Sequence, residues 1–212
     1  MTTKTLNISE EQLVDYSKAH NEPSWMTELR KKALKLTETL EMPKPDKTKL
    51  RKWDFDTFKQ HHTTGDAYTQ LTDLPKSVKE IIDVENSENL IIQHNNELAY
   101  TQVSDQAKHD GVIIEGLSEA LVNHSDLVQK YFMTKAVDVD EHRLTALHTA
   151  LVNGGIFVYV PKNTVVEHPI QYVVLHDDEQ ASFYNHVIIV TEESAEVTYV
   201  ENYLSKIGRA HV

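Results

Sequence analysis

The sequence predicts an α+β fold in which a helical first part gives way to a succession of strands. Apolar residues recur at helical spacing over 9–40 and 117–152. From Gly155 onward, short apolar runs alternate with turns and no helical period returns. Between these regimes, Asn95-Asn96-Glu97 separates two short extended runs, as a hairpin turn does. The chain is therefore expected to divide into a helical region over 1–85, a mixed α/β segment over 86–152 and a strand core over 153–205, with a tail at 206–212.

Ser9-Glu10-Glu11-Gln12 carries the capping-box pattern, a hydroxyl followed three residues later by an amide side chain, and opens a helix to about His20. Pro23 suits the first turn of a second helix, with Trp25, Met26, Leu29, Ala33 and Leu36 on one face to about Leu40. Met42-Pro43-Lys44-Pro45-Asp46-Lys47 stops it and reads as an exposed linker. Beyond it, Trp53, Phe55 and Phe58 alternate with polar residues. Pro75 introduces a short helix from Ser77 to about Val84. Leu90–His94 and Leu98–Val103 form the arms of the hairpin, and Val112–Glu115 is another strand. Leu117–Phe132 reads as one helix with Leu121, His124 and Val128 near one face, and Glu141–Val152 as a further helix.

The stretch Ala146–Gln171 joins the two regimes. Leu144, Leu147, His148 and Leu151 share a helix face, and Asn153-Gly154-Gly155 is expected to end that helix, because glycine takes left-handed angles without a side-chain clash. Ile156–Val160 is an apolar run of the kind buried on both faces of a sheet. Pro161-Lys162-Asn163-Thr164 makes a turn, and Pro169 interrupts the extended pattern that follows. Strands are expected at 156–160, 164–166, 170–175, 182–190 and 195–202. That spacing fits a sandwich or a parallel β-helix equally well.

Composition narrows the function classes. The chain has 212 residues and no cysteine, so it has no disulfide framework and no thiolate to hold a cluster. No apolar stretch approaches the length of a membrane span, and the N-terminus lacks the apolar centre of a secretory signal, so a cytoplasmic location is the default expectation. Residues 1–60 contain 12 Lys+Arg against 10 Asp+Glu, whereas the remainder contains 9 against 23. An acidic body lacks the basic footprint that nucleic acid or an anionic membrane requires.

No residue cluster has the pattern of a catalytic or metal site. His61 and His62 are adjacent, which rarely lets two rings converge on one ion; they read as surface histidines. His142 and His148 are six apart, off the i, i+4 spacing of two helical ligands, and His148 reads as a packing residue. His168, His176 and His186 fall among the strands and read as solvated or hydrogen-bonded. Asp177-Asp178-Glu179 and Glu192-Glu193-Ser194 lack the alternating ligands and glycine of a calcium loop. Ser182 has no nucleophile-elbow setting, and Gly154-Gly155 follows a helix and precedes a strand, the reverse of a dinucleotide fingerprint. No phosphate-cradling GxxxxGK[ST] motif is present. These features predict a protein that is not an enzyme, with no catalytic or metal-binding residue to assign.

The order LHTAL-x-NGG-x-FVYVPK-x-x-x-VEHPIQ resembles the entry to the core domain of the SufB/SufD family of iron–sulfur cluster assembly scaffolds. His148-Thr149 departs from the commoner Asn-Thr of that helix. Tyr184–Val190 and Ala195–Glu201 resemble the family's first β-helix rungs, and the likeness runs over residues 10–205. The helical N-terminal region and Arg51-Lys52-Trp53-Asp54-Phe55-Asp56-Thr57-Phe58 favour the SufD branch. The resemblance implies a right-handed parallel β-helix and a scaffold role beside a SufB-like paralogue and a SufC-like ATPase. It also implies that an Fe–S cluster or flavin enters only at the level of the assembled complex. No cluster-related residue carries over to this chain. The alternatives are a β-helix carbohydrate-active enzyme, whose grouped Asp, Lys or Arg on one face the strands here lack, and an unrelated β-rich adaptor.

Lys206-Ile207-Gly208-Arg209-Ala210-His211-Val212 does not continue the strand pattern. Its codons can read AAG ATC GGA AGA GCA CAC GTC, the start of a common sequencing adapter, so a non-native tail and a C-terminally truncated fragment are expected. A genomic stop codon directly after Val212 would sink that reading. A β-helix cut at this point leaves an open sheet end, and poor expression or aggregation of the isolated chain is expected with it.

Overall fold

The computed structural model describes residues 6–50, 53–57 and 59–205. Phe58 and the tail from Lys206 onward lie outside the described residues. Two compact units interleave along the sequence: residues 1–61 with 118–153, and residues 62–117 with 154–212. The linear segments expected from composition are thus shared between units, since the first hairpin belongs with the strands that follow Gly154.

The first unit is helical. Helix α1 (Glu10–Ala19) begins on the expected capping box: Ser9 Oγ accepts the Gln12 N–H at 3.2 Å and Gln12 Oε1 accepts the Ser9 N–H at 2.8 Å. Helix α2 (Ser24–Thr39) buries Met26, Arg30, Ala33 and Thr37, a stripe in which a guanidinium takes a core position. In the second part of the unit, α5 (Leu117–Asn123) and α6 (Ser125–Tyr131) replace the single helix expected over 117–132. The chain breaks at His124, whose φ of −131° and ψ of 37° lie outside the helical region. Helix α7 (Arg143–Leu151) packs on α2 through small side chains, with Ala146, Thr149 and Ala150 all buried. His142 caps it, its Nδ1 accepting the Thr145 N–H at 3.2 Å.

Among the described residues, the second unit contains the short helices α3 (Lys76–Lys79) and α4 (Asp105–His109) and seven strands. These are β1 (Asn89–His94), β2 (Glu97–Gln102), β3 (Ile113–Gly116), β4 (Gly154–Val160), β5 (Ile170–His176), β6 (Asn185–Thr191) and β7 (Tyr199–Ser205). The helix expected from Ser77 to Val84 is only the single turn of α3, followed by a 3₁₀ turn at Val84–Asn86. One sheet has the order β2-β1-β5-β7 and the other β3-β4-β6. β1 and β2 form the predicted hairpin, with Asn95 at φ 53° in its turn, where asparagine is tolerated better than most residues.

From β4 onward, successive strands alternate between sheets, with β4 pairing in parallel with β6 and β5 with β7. Gly154 pairs with Asn185 and Ile170 with Tyr199, offsets of 31 and 29 residues. The corners between strands are layered too: the Asn163 N–H donates to Glu193 O at 3.0 Å, and Val166 and Glu196 are tied by donation to Glu196 O and Thr164 O at 2.9 Å each. The strand expected at 164–166 is therefore a stacked corner, with one isolated bridge from Val165 to Glu196.

β1 and β5 are buried on both faces, which is why both read as continuous apolar runs. Ile91, Ile170, Tyr172 and Val174 join Ile114, Ile156, Val158 and Val160 from the other sheet in one core. Leu90, Ile92, Val173 and Leu175 face Leu74, Val78 and Ile82 in a second. Each fully buried side chain of this kind contributes about 1.5–3 kcal/mol.

The Gly-Gly pair does not end α7, contrary to expectation. The helix stops at Val152, which turns extended with φ −49° and ψ 126°. Gly154 and Gly155 are already in β4, and they are required by close approach. A Cβ on Gly155 would sit 1.9 Å from the His186 carbonyl oxygen, and its φ of 134° is strained for any L side chain.

Candidate functional site

Several of the histidines singled out by sequence have individual partners or surroundings. In the first unit, His61 Nε2 lies 2.9 Å from Leu151 O and its ring meets Tyr16 edge-on at 4.5 Å. Burial, and then the Arg30 cation, push His148 down to about 4. In the second unit, His62 Nε2 lies 2.8 Å from Glu97 Oε1, and His168 Nδ1 lies 3.4 Å from Glu88 Oε2. Burial lowers His176, which packs against Phe183 at 5.7 Å. Of the acidic turns, Glu193 pairs with Lys162, and Asp177 anchors a histidine that sequence reasoning did not single out.

That histidine is His94, buried at the end of β1. Nε2 donates to Asp177 Oδ1 at 2.8 Å, and Nδ1 accepts the Asp66 N–H at 2.8 Å. A His–Asp pair can orient a general base, but here the nitrogen that would take the proton is already occupied by a backbone amide. The dyad holds structure in place.

Two buried polar clusters were also missed. In the first unit, Arg30 bonds Glu22 through both carboxylate oxygens, Nε to Oε2 at 2.8 Å and Nη2 to Oε1 at 2.6 Å. It also donates to the carbonyls of Ala150 at 2.9 Å and Val152 at 2.7 Å, closing the end of α7, while its guanidinium lies over Tyr16 at 5.0 Å. Burial works to raise the Glu22 carboxyl, but the Arg30 charge and hydrogen bonds, with Ser17, hold it below its ordinary range. The one signal in the sequence was Arg30 standing on the apolar stripe of α2. Arg143 does a similar job, bonding Asp56 Oδ1 and Thr37 O.

In the second unit, Gln93 Oε1 accepts the Gly155 N–H at 3.0 Å and the Tyr172 hydroxyl at 2.6 Å. Tyr172 also reaches Asn185 at 2.9 Å, and Asn185 donates to Tyr203 at 2.6 Å. Tyr199 donates to Glu201 at 2.8 Å. Burial raises Tyr172 and Tyr199, and burial and then Glu201 push Tyr203 up to about 12. These phenols remain protonated donors rather than phenolate ligands. A groove of about 100 Å³ between α4 and the 165–168 corner has an apolar floor of Ala107, Val112 and Val166 and an acidic rim of Glu88, Asp110 and Glu167. It is smaller than the roughly 300–1,000 Å³ of ordinary small-molecule pockets.

Chemically, the arrangement offers strand ladders, buried clamps and stacked corners. A family profile described as the SufBD protein N-terminal region matches residues 9–172. The chain is 47% identical over 204 residues to the iron–sulfur cluster assembly protein SufD of Bacillus subtilis, covering 96% of this chain and 47% of the relative. It is 28% identical over 204 residues to an iron–sulfur cluster assembly SufBD family protein of Staphylococcus epidermidis, covering 92% and 43%. A SufBD family protein of Pyrococcus horikoshii is 29% identical over 215 residues, covering 97% and 48%. The chain spans about half the length of the relatives it matches.

Proposed function

The chain belongs to the SufB/SufD family and is most like SufD, and on that premise we propose that it is part of a scaffold subunit for iron–sulfur cluster assembly. The likeness to the Bacillus subtilis protein carries this reading. In it the subunit works beside a SufB-like paralogue and a SufC-like ATPase in the cytoplasm, and ATP hydrolysis belongs to the partner. The cluster is cargo of the assembled complex, and no residue of this chain is assigned to it.

The geometry supports a structural rather than catalytic role. The side chains with the right chemistry for catalysis, His94, Asp177, Glu22 and Tyr172, are tied into hydrogen bonds that hold elements together. The alternation of β4, β5, β6 and β7 between two sheets, with parallel pairing at offsets of 31 and 29 residues, supports a parallel β-helix as the architecture. Right-handed crossovers are the expected sense for such connections.

A pull-down of the full-length protein tests the proposal. Recovery of a SufB-like paralogue and a SufC-like ATPase is expected. Recovery of neither, or polysaccharide cleavage by the purified protein, overturns it.

A further inference from the structure

We propose that the segment from His62 to Tyr68 is a proton-sensitive strap, held on the β1–β2 hairpin by the unprotonated Nδ1 of His94. The segment has no regular secondary structure of its own, and Thr64, Asp66 and Ala67 are exposed. Its backbone is tied to the hairpin by four hydrogen bonds, and side chains add to them: His62 Nε2 lies 2.8 Å from Glu97 Oε1, Thr63 Oγ1 3.5 Å from Asn96 Oδ1 and the Tyr68 hydroxyl 3.5 Å from His94 Nδ1. The Thr63 N–H donates to Asn96 Oδ1 at 2.9 Å, Asn95 Nδ2 donates to Thr64 O at 3.2 Å, the Asp66 N–H donates to His94 Nδ1 at 2.8 Å, and the Tyr68 N–H donates to Ala99 O at 2.7 Å. A Cβ on Gly65 would lie 2.1 Å from His94 O, so the strap is seated as closely as glycine allows.

Of the four backbone contacts, only one has a titratable acceptor. A backbone amide can only donate, so Nδ1 must carry the lone pair and Nε2 the hydrogen that goes to Asp177. Protonating Nδ1 sets two N–H groups against each other and removes that contact. The new N–H has an acceptor nearby, the Asp66 carboxylate, whose Oδ2 is 3.9 Å from Nδ1 in the closed arrangement. Relieving the two opposed N–H groups moves the Asp66 backbone away from the ring, which is the open state of the strap, and the Tyr68 hydroxyl, 3.5 Å from Nδ1, is a second acceptor for the new proton.

The charged and titratable neighbours set the sign. Asp177 keeps Nε2–H in both states. Asp178 adds negative charge on the same loop, and burial lowers His176 beside it. Tyr68, raised by burial and then by Asp66 and Asp177, stays a phenol. At the other end of the strap, the His62–Glu97 pair, with Nε2 2.8 Å from Oε1, serves as the internal control. The open state binds one more proton at His94, so closure is favoured as pH rises and acid releases the strap.

Amide exchange measured by NMR on the 212-residue chain tests this. Between about pH 8 and about pH 5, the Asp66 protection factor should fall roughly three- to tenfold. His94→Asn, which offers an uncharged oxygen acceptor near the Nδ1 position, should abolish the fall, and His62→Gln should leave it in place. An equal fall in His94→Asn, or none in the wild type, overturns the proposal. If His94→Asn fails to fold, the imidazole ¹⁵N shifts of the wild type decide: an unprotonated Nδ1 at about pH 8 supports the strap and a protonated Nδ1 there overturns it.

Discussion

Replacing Arg30 by methionine keeps much of the side chain's volume while removing its charge and donors, and the structure predicts a large loss of stability. The Arg30 and Glu22 side chains are 2% and 3% exposed. With the guanidinium gone, the Glu22 carboxylate stays buried without its main counter-charge, keeping the Ser17 hydroxyl at 2.7 Å. The Ala150 and Val152 carbonyls lose their donors as well. Breaking a buried pair from one side costs about 3–5 kcal/mol, against a total stability of about 5–15 kcal/mol for a domain. Urea denaturation followed by helical circular dichroism reads this as a lower midpoint with unchanged slope. Adding Glu22→Leu should recover part of the loss, because the double variant no longer buries a lone charge. A loss under about 1 kcal/mol in Arg30→Met, or a double variant as unstable as the single one, would show that the pair is not the clamp described.

Other outcomes follow from the same geometry. Glu22, held below its ordinary range, contributes stability that is fully present above the ordinary carboxylate value and is lost as pH falls through the lower folded one; acid titration of Glu22→Gln should lack that step. His148 acts in the same direction: the unfolded chain takes up its proton near 6.5 and the folded chain only near about 4, so stability is lost as pH falls across that interval. His148→Gln should flatten the fall by about 1–2 kcal/mol, and an unchanged pH slope would refute the assignment. Gly155→Ala should cost more than about 3 kcal/mol or prevent folding, whereas Gly111→Ala, at φ 73° with its nearest contact at 3.7 Å, should cost only about 1 kcal/mol; equal midpoints in denaturant would contradict this. Ser9→Ala should cost about 1 kcal/mol through loss of the α1 cap, visible in the same denaturation assay.

Features governed by neighbours in sequence were legible in advance. The capping box at Ser9, the turn at Asn95 and the two-face burial of Ile156–Val160 each depend on a few adjacent residues. The break at His124 was not, because the apolar spacing continues across it and only the backbone angles interrupt the helix. The glycines of Asn153-Gly154-Gly155 gave a true signal with the wrong cause. They are needed because β6 passes close by, and no local pattern records that approach. Nor does any local pattern record that Asn89 pairs with Ile170, which joins the first hairpin to the later strands. The buried clamps share this property. Arg30 meets carbonyls of residues 150 and 152, and His94 meets Asp66 and Asp177, so their partners become visible only once the chain has folded.

The layered corners carry a consequence for how such a chain can change length. Because residues 163–166 hydrogen-bond to 193–196, the bend after β4 and the bend after β6 are templates for each other. A residue inserted into one bend has no counterpart in the other and strands the donors and acceptors that now pair across them. Length variation among homologues should therefore arise in matched pairs at these two bends, or be displaced to the connection between β5 and β6. An alignment would then show gaps spaced about one turn of the ladder apart, a mark of the architecture that survives after sequence identity has faded.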